Sequence, residues 1–389
     1  MEAAGTTNAR IHMTPDFSEF PEISKEAWLQ QIARDLKDKR LEDLSWKVTD
    51  ELEVNPFGHA DDFPVPPAPL TATAKNWEIC EDIHAADPVA ANRTALDALE
   101  GGVQGLCFHL DMSVDSSAFK QLMQGIYPDF IGLHFAGPLV DQNPGRLFPY
   151  LSQLAEAGGV KTSQLHGSIA YDPALHHEMP DWRYLTDLMQ FSTEQFPQFK
   201  VVSVASEQGD APVSDVVSLL RRGNFYMEKL CGRGGSPERV ASLLTFDISI
   251  GKSYFYEIAK IRAFKLLWLH ILKAWQAPLT LPAVAVHFRA EVYTDDLYTN
   301  MIRATTMAMS AILGGADRLT VLPYDAGREG MATYSPAFGR RIARNVQHLL
   351  QLESGFGQTA DPAAGSYYIE NLTQQLAAAA WKKFTANDE

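Results

Sequence analysis

What most constrains this chain is a rhythm. From about residue 100, short apolar runs recur with helical patterns between most of them. They are "VQGLCFHL" (103–110), "FIGLHFAG" (130–137), "LHGSIAY" (165–171), "KVVSVAS" (200–206), "LTFDIS" (244–249), "AVAVHF" (283–288) and "RLTVLPY" (318–324). Strands buried on both faces and alternating with helices form parallel βαβ units. Seven such units within about 250 residues predict an α/β fold, a (β/α)8 TIM-type barrel rather than an open sheet. The eighth strand is expected near 350–358.

Between the runs, "TDDLYTNMIRATTMAMSAILGG" (294–315) reads as a helix capped by Thr294, with Asp295 and Asp296 in its first turn and a stop at Gly314-Gly315. "KSYFYEIAKIRAFKLLWLHILKAW" (252–275) is apolar over most of its circumference, which predicts a second buried surface and hence an interface. Near the end, the turn chemistry of Asp361 to Ser366 leads into a helix expected from Glu370, with Leu372, Leu376 and Trp381 on one stripe.

Residues 1–75 read as an N-terminal arm and residues 76–389 as the barrel. The arm holds one helix, with Trp28, Ile32 and Leu36 recurring after a Ser24 cap. Trp46, Val48, Leu52 and Phe57 follow, then "DFPVPPAPL" (62–70), a stiff proline-rich linker. So short a segment cannot bury its own aromatics. It is expected to wrap onto the main body or a partner chain.

At 389 residues the chain has room for such a barrel plus an appendage. A formal net charge of −15 argues against a nucleic-acid surface and a polybasic membrane contact. "MEAAGTTNARIHMTPDF" has no apolar signal core and no 18-residue apolar run follows, so a cytoplasmic protein is expected. Cys80, Cys107 and Cys231 are too few and too scattered for a disulfide framework or a zinc site. "CGRGGS" (231–236) follows no strand, so it is a poor phosphate loop, and "HHE" (176–178) lacks a third ligand at useful spacing. Glu207 follows a predicted strand, where a barrel puts catalytic groups, but a lone carboxylate there is more often a loop charge.

Three long blocks carry a resemblance. "YFYEIAKIRAFKLLW" (254–268), "IRATTMAMSAILGGADRL" (302–319) and "GRRIARNVQHLLQLESGFGQTADPAAGSYYIENLT" (339–373) resemble the methylmalonyl-CoA mutase family in order and spacing. The similarity runs from about Trp77 to the end. It implies a barrel that carries acyl-CoA and is closed by the 339–373 segment. In that family a separate C-terminal domain supplies adenosylcobalamin.

Departures accompany the resemblance. The sequence stops just after the barrel, so the cobalamin domain is expected to be absent. That domain is marked by an Asp-x-His-x-x-Gly loop whose His ligates cobalt; "DIHAAD" (82–87) lacks the Gly. The resemblance puts the family's substrate-loop Arg and Tyr on Cys80 and Asp82, and its Tyr-His pair on Glu207 and Gln208. The family's carboxylate-binding Arg has no counterpart in "YDPALHHEMPDWRYL" (171–185), where Arg183 is out of register. Family axes are lined by small polar residues that let pantetheine thread them. Leu133, His134 and Phe135, with Thr320, Val321, Leu322 and Pro323, imply instead an axis filled by larger apolar side chains. His287 keeps a family His, while Arg289 replaces a neighbouring amide.

Together these features imply a non-catalytic small (β) subunit of a heterodimeric, adenosylcobalamin-dependent methylmalonyl-CoA mutase. The methylmalonyl-CoA–succinyl-CoA interconversion of propionate metabolism would be carried by the large (α) subunit. No catalytic, cofactor-binding or metal-binding residue is expected on this chain, and the cofactor would be held by the partner. The alternatives are an active barrel served by a separately encoded cobalamin domain, or a scaffold or binding module. Trp28, Trp46 and Phe57 are the arm's candidates for a partner contact.

Overall fold

The computed structural model describes residues 18–19, 23–37, 39–49, 52–206, 212–331 and 334–386. A parallel barrel dominates it. Its strands are β1 (Glu78–His84), β2 (Gly105–His109), β3 (Gly132–Ala136), β4 (His166–Ile169), β5 (Gln198–Lys200 and Val202–Ala205), β6 (Leu244–Ile250), β7 (Ala283–Phe288) and β8 (Arg318–Thr320). β8 pairs with β1, and the two halves of β5 pair with β4 and β6 respectively, which brings the ring round on itself.

The seven predicted runs are β2 to β8. The remaining strand does not lie at 350–358, where a π-helical turn (Leu349–Glu353) and a 3-10 turn (Phe356–Gln358) stand instead. It is β1, the first strand rather than the last. Three carboxylates in its seven residues hide it from a search for apolar runs. Glu81 is buried on the helix side of β1, held 2.8 Å from Arg344 of the helix Pro336–His348.

The outer layer explains the two long sequence blocks. The helix Leu297–Gly314 is capped by Asp296 rather than Thr294, its carboxylate accepting from the Tyr298 and Thr299 amides, and it ends at Gly315 with φ 94°. The helix Tyr254–Ala274 is buried nearly all round because this chain itself covers it. Ala259 packs with Leu372 and Val54, and Ile258 with Ala363 and Ile369. The surplus apolar face expected to seek another protein is therefore occupied by the C-terminal helix Tyr367–Thr385 and the arm.

A buried charge fixes that C-terminal helix. Arg262 is 1% exposed and donates to both Asp361 and Glu370, the latter at 2.7 Å. Asp361 also accepts from the Leu70 amide at 2.7 Å, and Glu370 from the Gly365 amide at 3.2 Å. A guanidinium at this depth requires paired carboxylates. The turn from Asp361 to Ser366 sets two of them on one side chain, which is why so stereotyped a sequence precedes the helix.

The arm lies on its own barrel. Its helix Lys25–Leu36 starts at Ser24, whose hydroxyl accepts from the Ala27 amide. The hairpin Trp46–Thr49/Leu52–Val54 buries Leu52 and Val54, and Phe63 meets the ring of Tyr367 at 5.9 Å. Each such burial contributes about 1.5–3 kcal/mol. Trp28 and Phe57 meet edge to face at 5.4 Å, so these two aromatics cover one another. The side chain of Trp46 lies outside the described residues. No described helix is long and apolar enough to cross a membrane.

Candidate functional site

In a barrel strand, alternate residues share the axis. Here that side is polar in two layers. The lower layer, near the N-terminal ends of the strands, is a brace built from Glu78 (β1), His134 (β3), Ser168 (β4) and Arg318 (β8). His134 Nε2 lies 2.7 Å from Glu78 Oε1 and its Nδ1 lies 2.8 Å from Ser168 Oγ. The Arg318 guanidinium meets the same Nδ1 and reaches Ser168 Oγ at 3.0 Å. β8 and β4 are four strands apart in a ring of eight, so this contact spans the axis.

The brace fixes its own proton positions. Arginine only donates, so His134 Nδ1 is the acceptor and the ring proton sits on Nε2, donated to Glu78. Burial, reinforced by the charge of Arg318, pushes the His134 pKa down to about 4. Burial raises the Glu78 carboxyl, but the His134 hydrogen bond and the neighbouring cations outweigh it and hold it below its usual value. Gly105 and Gly132 make room for this carboxylate, since a Cβ at either would collide with Glu78.

The upper layer lies at the C-terminal ends of the strands, the face where TIM-type barrels place their chemistry. Asp247 (β6) and His287 (β7) are 2.7 Å apart. Asp82 (β1) and His109 (β2) are 3.6 Å apart, with side chains 35% and 33% exposed, so solvent reaches part of each side chain. The ring of His84 stacks on His109 at 4.8 Å. Burial disfavours the His287 cation, but Asp247 more than compensates and its pKa is raised. His109 is raised mainly by Asp82. Burial pushes the Cys107 thiol well up, and the Asp82 charge adds to it. Two carboxylate–imidazole pairs at one mouth can hold and relay protons.

The sequence-predicted positions divide. Cys80 and Asp82 do face the axis, and His287 joins the upper layer through Asp247. Glu207 and Gln208 lie outside the described residues. Arg183 is exposed on the helix Trp182–Gln195. Arg289 turns to Glu257, at 3.7 Å. Leu133 and Phe135 do not fill the axis. They occupy the alternate positions, and Phe135 packs on Phe108 and on Phe119 of the helix Ser116–Leu122, in the helix layer. Val321, Leu322 and Pro323 lie beyond the end of β8. The axis is thus obstructed by charge, not by apolar bulk. His177 of the His-His-Glu string hydrogen-bonds the Asp141 carbonyl at 3.0 Å, and Ser236 of the glycine-rich string caps the helix Pro237–Leu243.

Glu78, His109, Ser168, Asp247 and Arg318 carry no motif. Their only sequence signal is a polar residue at every second place within an apolar run, as in Cys107-x-His109, Asp247-x-Ser249 and Arg318-x-Thr320. At the opposite mouth a cavity of about 470 Å³ is lined in part by Lys75, Trp77, Lys200, Lys265 and Asp317. Lys75 pairs with Asp317 at 2.5 Å, and burial lowers the pKa values of Lys200 and Lys265. The brace stands between this cavity and the upper layer.

A family profile described as methylmalonyl-CoA mutase matches residues 140–389. The methylmalonyl-CoA mutase small subunit of Porphyromonas gingivalis (strain ATCC BAA-308 / W83) is 32% identical, across 96% of this chain and 64% of that one. The small subunit of Streptomyces virginiae is 28% identical, across 94% of this chain and 64% of its own. The chain therefore spans 64% of the length of these two relatives. Among solved structures, Yersinia pestis dihydropteroate synthase aligns at a TM-score of 0.38 and 11% identity, over 72% of this chain and 94% of that one. That likeness is too distant to bear on the site.

Proposed function

This chain belongs to the methylmalonyl-CoA mutase family, and on that premise we propose that it is a non-catalytic small subunit of the mutase. It pairs with a large subunit that binds adenosylcobalamin and interconverts methylmalonyl-CoA and succinyl-CoA in the cytoplasm. The brace carries this proposal. Arg318, reaching Ser168 across the ring, stands where the resemblance implies an open passage for pantetheine. Asp82, at the position of the family's Tyr, faces His109 at 3.6 Å and offers no ring to stack on a radical centre.

The residues present do not fit a cobalt-ligating loop. His84 ends β1 and stacks on His109, and Asp87 accepts from the Val89 and Ala90 amides to cap the helix Pro88–Glu100. No step is assigned to cobalamin on these residues.

Co-expression with a full-length mutase large chain from the same genome tests the proposal. The two chains should copurify, and turnover with added adenosylcobalamin should require the large chain. Turnover by this chain alone, or failure of any mutase chain to copurify with it, overturns the assignment.

A further inference from the structure

The upper layer contains a group of donors that the subunit role does not use. We propose that Asp82, Cys107 and His109 form a binding site for a divalent transition metal, zinc or cobalt, at the C-terminal mouth of the barrel. The ladder puts Asp82 directly opposite Cys107 on the neighbouring strand, with His109 two residues further along the same face. One carboxylate oxygen, the Cys107 sulfur and one imidazole nitrogen all lie within 4.8 Å of one another.

Two details fit a ligand set. Asp82 Oδ1 and His109 Nε2 are 3.6 Å apart, beyond normal hydrogen-bond reach. Two ligands each about 2.1 Å from one metal at a tetrahedral angle stand about 3.4 Å apart. His109 Nε2 is also buried and, with Asp82 at ion-pair distance only, has no hydrogen-bond partner among the described residues. His84, stacked on the same ring, holds its plane.

The donor chemistry selects the ion. A thiolate and an imidazole beside one carboxylate suit zinc or cobalt, whereas magnesium and calcium take oxygen sets. On binding, the Cys107 thiol releases its proton to solvent as the sulfur–metal bond forms. Three protein ligands leave a fourth position open towards the mouth, where water completes the shell. A deeper cluster, Glu78, Cys80 and His134, has similar composition. There both imidazole nitrogens are already bonded, to Glu78 and Ser168, and the Arg318 guanidinium lies against the ring. A cation is excluded from it.

The site depends only on this chain's residues, so its test is separate from the subunit assignment. Chelator-treated protein is titrated with Co²⁺ and followed by absorption. One equivalent should bind, with a near-ultraviolet sulfur-to-cobalt charge-transfer band. Cys107→Ser should abolish the band. Loss of an outer-shell partner alone costs 10–100-fold in metal affinity, so loss of this ligand should weaken binding by about a hundredfold or more. Cys80→Ser and Cys231→Ser should keep both band and affinity. In the unsubstituted protein, Zn²⁺ should slow alkylation of Cys107, located by peptide mass, which tests the site even if a variant fails to fold. The proposal is overturned by absence of stoichiometric binding, by a band that survives Cys107→Ser or vanishes with Cys80→Ser, or by alkylation of Cys107 indifferent to Zn²⁺.

Discussion

Two arginines, one outside the barrel and one inside it, show what buried charge does in this protein. Arg262 sits between the outer helix Tyr254–Ala274 and the C-terminal segment, held by two carboxylates that are 5% and 6% exposed. Arg318 crosses the axis to a neutral imidazole and a hydroxyl, with Glu78 one step further along. The first is a joint between parts of the chain distant in sequence. The second is an obstruction between one mouth of the barrel and the other. The partners decide the difference. Among the described residues Asp361 and Glu370 form ion pairs with Arg262 alone, whereas His134 and Ser168 still have each other.

The sharpest way to break that comparison is to remove each arginine. Arg262→Ala strands two buried carboxylates and should cost about 3–5 kcal/mol, the usual cost of breaking a buried pair from one side. A urea unfolding midpoint measures it, and adding Asp361→Asn and Glu370→Gln should recover much of the loss. Arg318→Ala leaves His134 and Ser168 bonded at 2.8 Å and should cost only about 1–3 kcal/mol. Equal losses for the two arginines would mean that the axis is as much a structural joint as the outer clamp.

A smaller effect appears with pH. His134 has its folded pKa lowered to about 4, so folding favours the neutral ring. Its contribution is present above the unfolded value near 6.5 and is lost as pH falls towards 4. His287 has its folded pKa raised, so its contribution is full below 6.5 and lost as pH climbs through the higher folded value. His134→Gln should therefore flatten the acid side of the stability curve, and His287→Gln the alkaline side. Unfolding midpoints collected from pH 4 to 9 would expose a reversal of those signs.

The smallest expected effect is none at all. Asp82→Tyr or Gln208→His restores one family group while Arg318 still crosses the axis, and residues that act as a unit return little when restored singly. Mutase turnover by either variant without a partner chain would mean that the brace is no barrier.

By itself the sequence determined the barrel, because strands buried on both faces must be apolar and must alternate with helices that cover them. Seven of the eight strands were legible on that ground, as was the helix after the Asp-Pro turn, three residues later than its observed start at Tyr367. β1 was not legible. Its carboxylates face partners as remote as Arg344, and such pairing leaves no trace in local composition. The character of the axis was decided by the tertiary structure alone. Leu133 and His134 are neighbours in sequence, yet a strand sends them to opposite faces, and only the ring settles which face is inward. The same closure brings Arg318 to Ser168, and pairing β1 with β2 sets Asp82 against Cys107, contacts that no spacing along the chain encodes.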